Sequence, residues 1–173
     1  TYSYDKLVSL VGAKDDEYFA LATTKDGGDS ILTYLNRNEF YAPKTKEIYV
    51  VPVEKDARVA KVAISGSYAT KVNDAGEIAS ETEYTKNRAV FNCKFYLPDD
   101  CKLVEWGAQI SANGKTRAVK GEKVSKHNEY SIYMSVSKTS SVKAFTAVAY
   151  VTYKDSNNNI KTIYSQSVTQ AFN

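Results

Sequence analysis

Histidine, methionine and tryptophan each occur once in this chain, cysteine twice and proline three times. Each scarcity excludes something. One histidine leaves serine or cysteine nucleophiles with a single candidate base, His127, which falls in the polar stretch GEKVSKHNEYS, where a solvated surface histidine is expected. Two cysteines and that histidine have no spacing that resembles a zinc motif. The glycine-rich phosphate cradle, the dinucleotide fingerprint and the metalloprotease helix are missing, so no cofactor is expected. The net charge of +3 is slight and spread along the chain. Without a basic stripe to neutralise phosphates, nucleic acid is not expected as a partner. No apolar run is long enough to span a bilayer, so membrane insertion by this fragment is not expected. The opening TYSYDKLVSL lacks the basic segment and apolar stretch of a signal peptide. The fragment is expected to start inside a longer protein, which leaves export open.

Paired carboxylates for glycoside cleavage exist by count in Glu81, Glu83, Asp99, Asp100 and Glu105. Each has a simpler reading: the first two lie in a polar run and the two aspartates in a turn. Enzyme activity is not expected.

Cys93 and Cys101 stand close together in FNCKFYLPDDCKL. If Phe91 to Leu97 is a strand, Cys93 sits about 13 Å from the turn at about 3.3 Å per residue. Cys101 lies just beyond that turn, whereas a disulfide needs α-carbons within about 7 Å. A bulge or a crossover at Pro98-Asp99-Asp100 would restore the bond. The alternative is a buried Cys93 packed with Phe91 and Phe95.

What the chain has is tyrosine, fourteen of them, with abundant Val, Thr and Ser. This is an all-β composition. Strands are predicted at 18–23, 30–35, 39–42, 47–53, 58–68, 89–97, 103–110, 130–136, 144–153 and 160–168. Turn signals separate them, most clearly KDGGDS, NDAGE, LPDD and ANGK. The charged VEKDARV reads as a seam. The expected fold is all-β in two units, about four short strands over 1–56, too few to bury much alone, followed by an immunoglobulin- or fibronectin-like β-sandwich over 57–173. Trp106 falls on the third strand of the second region, where such sandwiches often bury an indole.

YVTYKDSNNNIKTIYS places Asp155, Asn157 and Asn159 at alternate positions, as a calcium-binding helix-loop-helix begins. The glycine that loop needs at its sixth position is Ile160, and the glutamate at its twelfth is Gln166. Its flanks have strand period, so a hairpin turn is expected and no metal. Turning about Asn157 and Asn158 predicts Val151 opposite Tyr164 and Tyr153 opposite Thr162.

The stretch GGDSILTYLNRNEFYAPKTKEIYVVPVEKDA, preceded by the strand Tyr18-Phe19-Ala20-Leu21, resembles the small glycine-turn β-repeat found in tandem in large surface proteins of gut Firmicutes. LPDDCKLVEWGAQI with FTAVAYVTYKDSNNNIKTIYSQSV resembles the immunoglobulin-like module that follows this repeat. The resemblance implies a secreted or wall-attached bacterial protein and carries no functional residue with it. Some Gram-positive surface proteins join a lysine and an asparagine of their first and last strands. Lys61 and Asn173 are the pair to name here, and no bond is expected, for want of a carboxylate placed in the apolar core.

Two functions are therefore expected. The first is a non-catalytic extracellular spacer or adhesive unit, monomeric, whose partners are polysaccharide or neighbouring domains of the same surface protein. The second is a carbohydrate-binding module of a secreted polysaccharide-degrading system. For the second, Trp106, Tyr130, Tyr133 and Tyr150 are the candidate platform, provided their strands expose one sheet face. Tyr2, Tyr4 and Tyr34 are further ring candidates, the first two sharing a side if extended.

Overall fold

The computed structural model describes residues 1–11, 18–41, 47–54 and 58–172. The described residues are all-β apart from one short helix and a 3-10 turn. Near the N-terminus, β1 (Tyr2–Ser3) pairs with β4 (Phe40–Tyr41), and β2 (Tyr18–Ala22) runs between β3 (Ile31–Tyr34) and β5 (Tyr49–Val53). Helix α1 (Tyr4–Ser9) starts where Ser3 Oγ accepts the Lys6 amide at 3.2 Å, a side-chain cap. Its Tyr4, Leu7 and Val8, at helical spacing, pack on Phe19, Leu21 and Tyr41. Tyr4 is thus buried in a helix and does not share an extended face with Tyr2. β2 is covered on both faces, because its Ala20 and Ala22 pack with Tyr34 and Val51 on the side that meets Tyr96.

The remainder forms two sheets. One holds β6 (Lys61–Val72), β7 (Lys86–Tyr96) and β10 (Glu129–Ser137), with β7 in the middle. The other holds β8 (Lys102–Ala112), β9 (Lys115–Lys120), β11 (Ala144–Lys154), β12 (Ile160–Tyr164) and β13 (Val168–Ala171). All pairings are antiparallel, and β12 and β13 share one edge of β11 in succession. The sheets enclose one core: Phe91, Cys93 and Phe95 from β7 meet Ala108, Ile110, Phe145, Ala147 and Val151 from the other sheet. Phe91 has no exposed surface, and burying such a ring is worth about 1.5–3 kcal/mol.

Several expectations change in detail. The predicted final strand splits at 165–167 into β12 and β13, and KTRAVK forms a strand, β9, that the pattern did not predict. The last hairpin pairs Val151 with Ile163 and Tyr153 with Lys161, one residue from the predicted register. The cause is a five-residue turn in place of a turn about Asn157 and Asn158: the Asp155 amide donates to Asn159 O, and Asn158 takes φ 64°. The same device closes Asn73–Glu77, with Gly76 at φ 85°, and Ser125–Glu129, with Asn128 at φ 58°. In each, the first side chain accepts the amide of the fifth residue. The cysteines are both free, Cys93 buried and Cys101 half-buried.

Candidate ligand-binding face

Strand parity scatters the four predicted ring residues. Tyr130 points into the core, where its hydroxyl donates to Gly107 O at 2.8 Å and to Tyr150 O at 3.1 Å, both on the opposite sheet. Burial pushes its phenol well above the usual tyrosine range. Tyr133, three residues on, faces outward and is 57% exposed. Tyr150 lies on the outer face of the other sheet but is buried, lying across Gly107 and donating to Glu105 Oε1 at 2.9 Å. Burial raises its phenol to about 12. Trp106 is half-buried at the end of the core, with its indole against Gly121, where an added Cβ would fall 2.2 Å from Cδ1. The four residues do not form a shared exposed platform, and Tyr34 is also enclosed, edge-on to Tyr96 at 4.8 Å between centroids.

A different group of residues converges on the outer face of the three-stranded sheet. Tyr68 and Tyr133 both pair with Val90, so the three side chains stand in one row across β6, β7 and β10. Tyr68 is 51% exposed, while Val90 beneath the rings is nearly covered. Two strand spacings put the rings about 10 Å apart. Along β7 the row is flanked by Arg88 on one side and Asn92 on the other. The Arg88 guanidinium stacks 4.3 Å from the Tyr133 ring centre, while Nε donates to Ser135 Oγ at 3.0 Å and Nη1 to Gly76 O at 3.1 Å. Asn92 Oδ1 accepts from Ser131 Oγ at 2.8 Å, and both residues line an open groove of about 480 Å³ that reaches Lys123 and Ser125.

The N-terminal strands close one end of this face. Lys94, next on β7, is buried; its Nζ donates to His127 O at 2.7 Å and lies 5.5 Å from the Tyr41 ring. Burial lowers its pKa against the opposing pull of Glu129 and Glu39. The turn at Asn73–Glu77 bounds the other end through the Arg88–Gly76 bond.

The candidate glutamates, Asp155 and Lys61 have structural partners. Glu81 pairs with Lys71, Glu105 with Lys120 at 2.6 Å, and Glu83 accepts from Ser80. Asp155 Oδ1 accepts the Asn157 and Asn159 amides, each at 2.9 Å, and its other oxygen pairs with Lys161 at 3.1 Å. Lys61 Nζ donates to Gly28 O at 3.3 Å, and Asn173 lies outside the described residues. His127 Nδ1 is buried without a hydrogen-bond partner among the described residues. No cluster of three metal-ligating side chains occurs among the described residues, and none of their helices is long and apolar enough to cross a membrane.

No protein-family model and no curated protein matches the chain. Among solved structures, it is similar to one described as "X-ray structure of Northeast Structural Genomics Consortium target SoR45", at 11% identity and a TM-score of 0.39, over 65% of this chain and 86% of the other.

Proposed function

We propose that the chain is a non-catalytic extracellular module of a bacterial surface protein, serving as an adhesive unit. In this reading a small β-repeat domain, 1–56, is followed by an immunoglobulin-like sandwich, 57–173, as the resemblance to modules of gut Firmicutes surface proteins implies. One observation carries the adhesive side of the reading: Tyr68 and Tyr133 stand exposed side by side on the outer face of a sheet. A pure spacer gains nothing from two open rings beside a guanidinium and an amide, and such rings are exposed to unwanted contacts. Rings on a rigid strand lose little entropy when a ligand stacks on them, which favours binding.

The same row favours the second reading, a carbohydrate-binding module of a polysaccharide-degrading system, because tyrosine rings offer apolar faces to pyranoses. Affinity electrophoresis against starch, cellulose, xylan and pectin tests both. Retardation that Tyr68→Ala or Tyr133→Ala abolishes supports adhesion to glycan. Migration unchanged by every polysaccharide returns the module to a spacer.

A further inference from the structure

We propose that the Tyr68–Val90–Tyr133 row is a subsite for an acidic oligosaccharide, with Arg88 pairing a uronate carboxylate; this rests on the adhesive reading above and names its ligand.

Size comes first. From Arg88 to Asn92 the row extends about 13 Å along β7 and about 10 Å across three strands, roughly 130 Å². A stable protein partner needs about 800 Å² on each side. The N-terminal strands and the Asn73–Glu77 turn limit extension along the strand. Rings two strands apart span about a disaccharide, so one sugar can lie on Tyr68 and another of the same chain on the side of Tyr133 away from Arg88. Between the rings the floor is the covered Val90, which offers no apolar pocket for a peptide side chain.

Arg88 forms no ion pair among the described residues, whereas Lys86 on the same strand face has Asp74 at 3.6 Å. Two of the five guanidinium donors are engaged, by Ser135 and Gly76, leaving others for a ligand. Those two bonds and the stack on Tyr133 hold the group in place, so pairing with a carboxylate costs little further ordering. Arginine takes a carboxylate through two parallel N–H···O bonds, a geometry that a neutral sugar hydroxyl does not reproduce. At the opposite side of the row, the exposed hydroxyl of Ser131, held by the buried Asn92 amide, supplies a neutral partner for sugar hydroxyls.

Isothermal titration of the whole chain at low salt, with oligogalacturonate, its methyl ester, cello-oligosaccharide and an oligoglutamate peptide as probes, tests the assignment. Oligogalacturonate should bind at least tenfold more tightly than the ester or the neutral sugar. Arg88→Gln should remove that preference, Arg88→Lys should retain part of it, and Tyr68→Ala and Tyr133→Ala should each weaken binding several-fold, with melting curves confirming that all four variants fold. Equal binding of neutral and acidic sugars, still dependent on the tyrosines, would overturn the acidic assignment and leave the adhesive reading standing. Acid-selective binding indifferent to Arg88 would overturn the subsite. Binding of the peptide alone would assign the row to a protein partner, and silence from every probe would remove the subsite and the glycan-adhesive reading together.

Discussion

The hydroxyl of Tyr130 crosses the core to the carbonyl of Gly107, tying β10 of one sheet to β8 of the other at 2.8 Å. Tyr130→Phe keeps the ring and removes the donor, leaving buried carbonyls short of one partner. Urea unfolding should show a loss of about 1–3 kcal/mol with an unchanged slope. A loss below about 0.5 kcal/mol would mean that both carbonyls are satisfied without the phenol.

Gly107 has no room for a side chain: an added Cβ would meet Val119 O at 2.2 Å and the Tyr150 hydroxyl at 2.9 Å. Because the first of these atoms is backbone, Gly107→Ala should push β9 off the sheet edge. Amide exchange in residues 116–120 should accelerate, with a stability loss on the order of 1–3 kcal/mol. Undisturbed exchange there would show that the sheet takes up the methyl elsewhere.

The two thiols should separate cleanly. Burial pushes Cys93 up to about 12, whereas the half-buried Cys101, also raised by partial burial and by Asp100, remains within reach of solvent. A thiol reagent at neutral pH should titrate one group in the native protein and two after unfolding. Cys93→Ser should cost about 1–3 kcal/mol through a buried hydroxyl and Cys101→Ser much less. Equal losses, with no thiol titrating even after unfolding, would indicate a disulfide.

Asp155 is held below the usual carboxylate range first by the Asn159 amide, and then by Lys161 and the Asn157 amide. A carboxylate whose folded pKa is depressed stabilises above its unfolded pKa of about 3.9, and that contribution is lost as pH falls through the folded value. Asp155→Ala should therefore lower the melting temperature at pH 7, and the gap to the parent should narrow as pH drops below about 4. Melts in calcium and in chelator should coincide, since loop amides and Lys161 already occupy the carboxylate. A calcium-dependent rise in melting temperature would contradict this.

How far the sequence foretold this arrangement depends on the range of the signal. Turn chemistry is local, and the Asn-rich tip reads correctly as a hairpin by its side-chain caps. Its register does not, because the positive φ at Asn158 adds a residue to the loop that composition does not reveal. β9 was hidden by its charges, although the Asn113-Gly114 pair, with φ 48° and 75°, is the two-residue hairpin signal that ends β8 and begins β9. The Tyr68–Val90–Tyr133 row was hidden by a bulge. Simple alternation from Val62 and Ile64 would turn Tyr68 inward, but the register shifts between Ile64 and Gly66, so Gly66 pairs with outward Asn92 and Tyr68 emerges on the surface. That shift depends on β7, a partner no local pattern names. Tyr130 and Tyr133, by contrast, are three residues apart on one strand, and parity alone already separates them.

The seam between the N-terminal strands and the two-sheet core is pinned at several points: Tyr34 against Tyr96, Lys94 under the Tyr41 ring, Lys61 on Gly28 O and Arg58 over Tyr18 at 4.5 Å. Contacts on this many elements pack the N-terminal strands against the sheet that carries Tyr68 and Tyr133. Under the proposed adhesive role, tandem copies joined through such a packed seam would gain avidity where the spacing of their faces matches the spacing of sites on the ligand, because a stiff joint adjusts less than a flexible tether.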